Sequence, residues 1–156
     1  MTTYAMDTNI ISYVLRKDEV VISKYRAELE QGSEFAMLPI VYYEVSRWLL
    51  ERNAKKMNAE FNAMCVEIPL MDTSKEVWDK AAELYVHTRR IGKPVGGDAD
   101  LLIAAYCLVN DCTLVTNNIR HFEFIEGLKL TNWKSDVITA PQTKTEPGAD
   151  DHGNKV

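Results

Sequence analysis

Three carboxylates lie in segments that are otherwise apolar. Asp7 interrupts the stretch MTTYAMDTNII where a predicted strand ends. Glu44 falls inside the apolar stripe of the predicted helix PIVYYEVSRWLL. Asp100 shares a predicted helix face with Ile103, Ala104 and Cys107. Each of these positions predicts a carboxylate that faces inward.

A buried carboxylate without a partner is costly, so proteins pair it, neutralise it or bind a metal with it. Hard cations such as Mg²⁺ and Mn²⁺ prefer carboxylate oxygens, and one shared cation would satisfy all three groups. Two simpler roles stay open for these carboxylates. Asp7 is also a good N-cap for the helix that follows it, and nearby arginines and lysines are available as ion-pair partners.

The predicted elements bring these groups toward one edge of a sheet. Strands are predicted at Tyr4 to Asp7, Phe35 to Leu38, Val66 to Ile68, Thr113 to Thr116 and Leu128 to Leu130. Helices alternate with these strands. One of them is predicted to begin at a capping box formed by Thr73 and Glu76 and to end at Gly92. This order predicts an α/β fold with a mainly parallel central sheet flanked by helices. Ligands bind such sheets at the carboxyl ends of the strands, where Asp7, Thr116 and Asn118 would meet.

Length and composition indicate one folded domain. The chain has 156 residues, 46% of them hydrophobic and 26% charged, which is typical of a globular protein. We expect a domain over residues 1–138 and a disordered tail over 139–156, because the tail holds no large apolar residue before its last position. The longest apolar run, Leu101 to Val109, is too short to span a bilayer, and no signal peptide is visible, so a cytoplasmic location is expected.

The net charge argues against non-specific nucleic-acid binding, and the cysteine spacing argues against a zinc site. A net charge of −5 argues against loose, sequence-independent binding of nucleic acid, although it is compatible with an enzyme that brings a divalent metal to a phosphate. The three cysteines form no CxxC pair and have no zinc-ligand spacing to the histidines.

The motifs resemble those of the PIN-domain ribonucleases, and among them the VapC toxins of bacterial toxin–antitoxin pairs. The resemblance is carried by MDTNIIS, LPIVYYEV, KPVGGDADLLIAA and LVTNNIRHFEFIEGLKLTNW, in this order, over about residues 4 to 133. It implies an endoribonuclease that uses Mg²⁺ or Mn²⁺ to hydrolyse RNA, leaving 5′-phosphate and 3′-hydroxyl ends.

By this resemblance, Asp7, Glu44 and Asp100 are the catalytic metal ligands, and Thr116 is the supporting hydroxyl. Asn118 stands where many members of the family have an acid, so a second metal position is weaker here. Asp98 is a candidate to compensate as a further ligand, or an N-cap of its helix. Asn9 is expected to hydrogen-bond among the carboxylates or to stabilise the turn.

The resemblance also implies partners: RNA, a small antitoxin protein and a second copy of the chain in a homodimer, with no membrane. An amphipathic antitoxin segment could lie against Trp48, Leu49 and Leu50, which could equally be core residues. The candidates for binding RNA phosphates are the basic residues Arg16, Arg47, Arg89, Arg90 and Lys93.

Two alternatives compete with this hypothesis. A phosphotransferase of the haloacid-dehalogenase kind also has a strand ending in Asp, but Asn9 stands where its second Asp is needed. A catalytically inactive PIN-fold interaction module is the alternative from another class, and Asn118 is its main support.

Overall fold

The computed structural model describes residues 1–135 with their side chains, and the backbone of residues 137–139. The strands are β1 (Thr3–Met6), β2 (Glu34–Ala36), β3 (Thr113–Val115), β4 (Lys129–Asn132) and β5 (Val137–Thr139). The helices are α1 (Thr8–Leu15), α2 (Glu19–Glu30), α3 (Pro39–Glu51), α4 (Lys55–Glu67), α5 (Lys75–Arg90), α6 (Asp98–Val109) and α7 (Ile119–Phe122). Most of the predicted tail, residues 140–156, lies outside the described residues.

The strands form one sheet in the order β2-β1-β3-β4-β5. The first four strands are parallel, which confirms the predicted sheet, and β5 adds an antiparallel edge strand that was not predicted. In the centre, Ala5 of β1 lies opposite Leu114 of β3, and Met6 lies opposite Val115. Strands β1 and β3 therefore end side by side.

Helices cover both faces of this sheet. Successive residues of a strand point to opposite faces, and in both β1 and β3 two successive residues are buried, namely Ala5 with Met6 and Leu114 with Val115. Burial on both faces is what a parallel sheet between helices requires. Among the described residues, no helix is both long and apolar enough to pass through a membrane.

Two local predictions were wrong. The segment from Val66 to Ile68 is not a strand, because α4 continues to Glu67 and Ile68 is its C-cap. Helical hydrogen bonding here outweighs the β-propensity of two β-branched residues. The N-cap of α5 is Ser74 rather than Thr73, since the Ser74 side chain accepts a hydrogen bond from the backbone N–H of Val77. The predicted end of this helix is confirmed, with Gly92 at a φ of +72°.

Candidate active site

The parallel register places Asp7 beside Thr116. Met6 and Val115 are partners at the ends of β1 and β3, so the next residue of each strand lies at the same sheet edge. The Thr116 hydroxyl donates a hydrogen bond of 2.8 Å to Asp7 Oδ2, and the Asp7 N–H donates one of 2.9 Å to the Val115 carbonyl. The predicted meeting of a strand-end carboxylate and a strand-end hydroxyl is therefore present.

Within the described part of the chain, only neutral groups donate hydrogen bonds to the Asp7 side chain. The Thr8 backbone N–H lies 2.7 Å from Oδ1, and the Asn9 amide nitrogen lies 3.3 Å from Oδ2. The contact to Thr8 makes Asp7 the N-cap of α1, so the predicted capping role is correct. It does not exclude a second function, because a buried carboxylate held by neutral donors keeps its charge uncompensated.

The pKa of Asp7 is raised to about 6, mainly because burial disfavours its charged form. Hydrogen bonds from Thr116 and Thr8 oppose this rise, whereas the negative charges of Asp100 and Glu44 add to it. Asp100 and Glu44, which the sequence analysis grouped with Asp7, thus lie close enough to repel the charge of Asp7. Such a group is stabilised by any cation that enters among them.

Glu44 reaches the site from α3, which begins at Pro39. The Thr8 hydroxyl donates a 3.0 Å hydrogen bond to Glu44 Oε1, and Arg47 Nη2 lies 3.9 Å from Glu44 Oε2. Thr8 therefore links Asp7 and Glu44, one through its backbone and the other through its side chain. The sequence analysis gave Thr8 no role, because nothing local indicated a partner 36 positions away.

Asp100 enters from the first turn of α6 and is less enclosed than Asp7, with 24% of its side chain exposed. Its Oδ2 lies 3.0 Å from Nδ1 of His121 in α7. Gly96 lies beside this pair, and a Cβ at this position would make ordinary van der Waals contact with both atoms, at 3.7 Å. His121 was missed by the sequence analysis, which assigned no role to the histidines.

Of the remaining predicted site residues, Asn9 contacts Asp7, whereas the side chains of Asn118 and Asp98 lie further out. Asn118 binds Thr116 through its backbone N–H, at 3.0 Å, and its side chain is exposed. Asn9 accepts a 3.1 Å hydrogen bond from the Asn117 N–H, so it ties the two strand ends together. Asp98 is exposed in α6 and lines a groove with residues of α5. Gly97, not Asp98, is the N-cap of α6.

The basic residues proposed for RNA phosphates are spread over two helical surfaces. Arg47 lies beside Glu44, and Arg16 lies over the ring of Trp48, 5.2 Å from its centroid. Arg89 lies over Tyr85 on α5, 4.4 Å from the ring centroid. Arg90 and Lys93 are exposed near the end of α5. Only the first two therefore adjoin α3, the helix that supplies Glu44.

The donor set suits a hard divalent cation, although the side chains are not yet gathered around one point. Within the described ranges, no three His, Cys, Asp or Glu side chains are arranged to hold a metal ion. Glu44 lies beside Arg47, and Asp100 lies beside His121. These basic partners offset part of the repulsion from the Asp7 carboxylate. Asp7, Glu44 and Asp100 offer six carboxylate oxygens, which is the ligand type that Mg²⁺ and Mn²⁺ prefer.

Comparison with known proteins decides the family. The family model described as "PIN domain" matches residues 4–126. The chain belongs to the PIN-domain family. Ribonuclease VapC2 of Rickettsia felis is 29% identical to this PIN domain over 131 residues, which cover 83% of this chain and 97% of the relative. The tRNA(fMet)-specific endonuclease VapC of Shigella flexneri is 26% identical over 137 residues, covering 85% and 99%.

A solved structure has the same fold. VapBC2 from Rickettsia felis, bound to a DNA fragment from its promoter, contains a chain that superimposes on this PIN domain with a TM-score of 0.77 and 25% identity. The match covers 85% of this chain and 99% of that one. The sequence resemblance and the predicted fold class are thus confirmed. Asp7, Glu44 and Asp100 all lie inside the matched range.

Proposed function

We propose that this PIN domain is a metal-dependent endoribonuclease and acts as the toxin of a toxin–antitoxin pair. The observation that carries the proposal is the buried Asp7 carboxylate, which neutral donors hold beside two further carboxylates. A folded protein does not gain stability from such a cluster, because each added negative charge makes it more costly. A cluster that costs stability is typical of a functional site.

RNA as the substrate is supported by the relatives, which are named ribonuclease and tRNA-specific endonuclease. The relatives match along 97% or more of their own length, so the likeness extends over the whole domain. RNA is therefore the substrate class that we propose.

Asp7, Glu44 and Asp100 would hold one Mg²⁺ or Mn²⁺ ion. When bound, such an ion lowers the pKa of water and stabilises the charge that develops on the scissile phosphate. Thr116 and Asn9 orient the Asp7 carboxylate by donating hydrogen bonds to Oδ2. Groups that fix a ligand in this way commonly change metal affinity 10- to 100-fold when they are removed.

Binding a cation would require two side chains to change partners. Glu44 would turn from Arg47, which lies at the long distance of 3.9 Å, and Asp100 would turn from His121. Both side chains are about one quarter exposed, 23% and 24%, so they have room to move. Asp7 is fixed by three hydrogen bonds and would serve as the stationary ligand.

Two protein partners are part of the proposal. An antitoxin is supported by the VapBC complex, whose VapC-like chain has this fold. Of the residues predicted to contact the antitoxin, Leu50 is available for binding because it is 73% exposed, whereas Leu49 belongs to the core.

A homodimer is supported by exposed apolar side chains on α5, among them Trp78 and Val86, which are 54% and 43% exposed. Burying them against a second copy would remove apolar surface from water.

Cleavage of RNA by the purified, antitoxin-free protein tests the enzyme. Total bacterial RNA is incubated with Mg²⁺ or Mn²⁺, and new 5′-phosphate ends are mapped. We expect discrete cuts that are lost in EDTA and in the Asp7→Asn variant. The cut sites would identify the particular RNA at the same time.

Two outcomes would contradict the proposed endoribonuclease activity at this site. Cuts that persist in Asp7→Asn would show that the site lies elsewhere. Absence of cuts, from a folded protein that also fails to bind Mn²⁺, would favour the inactive interaction module. Asn118 and the ungathered side chains favour that module as the second candidate.

A further inference from the structure

A row of charged and aromatic side chains runs along α3 away from the carboxylates. Glu44, Trp48 and Arg52 are spaced by four residues, which places them on one side of the helix. From Glu44 to Arg52 the row is about 12 Å long at 1.5 Å per residue. It therefore begins at the proposed active site and ends at the C-cap of α3.

Helix α1 runs beside this row in the same direction. Near its start, Thr8 bonds Glu44, and at its C-cap, Arg16 reaches Trp48. The guanidinium carbon of Arg16 lies 5.2 Å from the centroid of the Trp48 ring, and that of Arg52 lies 5.5 Å from the same centroid. Both arginine side chains thus lie against the same indole ring.

Both arginines carry a positive charge that the described residues leave unpaired. Among the described residues, no carboxylate lies within ion-pair distance of Arg16 or Arg52, although nearby Lys17 is paired with Glu60 at 2.9 Å. Both arginines are exposed, and the exposed Lys55 and Lys56 begin the next helix. Lys17 and Lys56 both lie near Glu60, so Arg16, Arg52 and Lys55 are the positive charges that the described residues leave without a carboxylate partner in this region.

We propose that Arg16 and Arg52, held against Trp48, bind phosphate groups of the RNA strand whose cleaved bond lies at Asp7. This inference rests on the proposed ribonuclease function. A planar guanidinium matches the oxygens of a phosphate, and contact with an aromatic ring restricts its motion. An RNA strand can contact both places because the row leads from one to the other. Trp48 is a positioning residue, acting through the two arginines.

Equilibrium binding in EDTA tests this inference without requiring cleavage. The probe is a fluorescently labelled single-stranded oligouridylate, titrated with full-length protein at several salt concentrations. We expect Arg16→Gln/Arg52→Gln to bind at least about tenfold more weakly, because each lost contact involves a charged group. The slope of log affinity against log salt should fall by about 1.4, since two phosphate contacts are lost.

Two controls separate this site from general charge and from folding. Lys75→Gln/Lys80→Gln on α5 removes the same charge from lysines that are paired with Asp79 and Glu83, and should bind like the wild type. Trp48→Phe keeps an aromatic ring for the guanidinium groups and should retain most of the affinity. Trp48→Ala should lose about as much as the double arginine variant.

Several results would overturn the inference. Equal losses in the α5 control would show that only net charge matters. Unchanged RNA affinity with lowered thermal stability in the arginine variants would leave them as residues that favour helix C-termini, and the surface would be free for a protein partner. A wild-type protein that binds no RNA in EDTA would refute this site but not the metal-dependent cleavage, whereas RNA binding in EDTA without cleavage in Mn²⁺ would refute only the catalysis.

Discussion

The end of β1 and the start of α6 contribute to the same site in different ways. Asp7 is 5% exposed and receives three hydrogen bonds from groups that the sheet and α1 fix in place. The Asp100 side chain is 24% exposed and has one imidazole partner. The comparison indicates that the sheet builds a fixed half of the site, whereas the helices provide a half that can rearrange around a cation.

The largest effect should come from removing a carboxylate from the half that rearranges. We expect Asp100→Asn to lower RNA cleavage by about 1,000-fold or more, which exceeds the loss of an outer-shell partner. Asp98→Asn, the same change two residues earlier in α6, should stay within about twofold, because surface substitutions usually cost little. Initial cleavage rates at saturating Mn²⁺ measure both. Equal losses would place Asp98 in the site.

In the fixed half, the titration of Asp7 should make stability depend on pH. Its pKa is raised to about 6 in the folded protein from 3.8, so the folded state holds the proton more tightly. The stabilisation is complete below pH 3.8 and is lost as the pH rises through 6. We expect the free energy of unfolding, relative to Asp7→Asn, to fall by about 3 kcal/mol over this range.

Urea unfolding of both proteins in EDTA at several pH values measures this difference. Taking the difference removes the titration of all other groups that the two proteins share. If the difference in unfolding free energy stays constant between about pH 4 and 7, burial and neighbouring charges do not raise the pKa of Asp7.

The hydroxyl of Thr116 supports the fixed half and should give a smaller effect. Thr116→Val removes the donor to Asp7 and the acceptor for the Asn118 N–H, at a cost of about 1–3 kcal/mol in the free energy of unfolding. We expect Mn²⁺ affinity, measured by calorimetry, to fall about tenfold. Thr116→Ser keeps the hydroxyl and should behave like the wild type. A Ser variant as weak as Val would contradict the role of the hydrogen bond.

The smallest effect should come from His121. Because its imidazole is 50% exposed and contacts the partly exposed Asp100 carboxylate, His121→Gln should change Mn²⁺ affinity less than about tenfold. A glutamine can still donate a hydrogen bond. A loss as large as that of Asp100→Asn would make His121 a metal ligand rather than a neighbour of one.

The sequence was sufficient to predict that the Asp7 and Thr116 side chains meet. Asp7 and Thr116 follow strands of a parallel sheet, and the register of such strands brings their ends together without further information. The helical spacing around Glu44 and Asp100 likewise predicted which face each occupies. These predictions succeeded because periodicity and strand ends are local properties of the chain.

Other features depend on contacts that local patterns do not encode. Thr8 meets Glu44 across 36 positions, and His121 meets Asp100 across 21. The pairing of Arg16 with Trp48 likewise follows from how α1 packs on α3. The false strand at Val66 arose because short apolar runs are ambiguous between helix and strand.

The central claim is that Asp7, Glu44 and Asp100 share one divalent cation. The most direct test is a crystal structure of the protein soaked in Mn²⁺, with the ion located by its anomalous scattering. We predict a peak bonded to Asp7, with the Glu44 carboxylate moved away from Arg47 and the Asp100 carboxylate moved away from His121. A Mn²⁺-saturated crystal with no peak at Asp7, and all three side chains in their present positions, would contradict the claim.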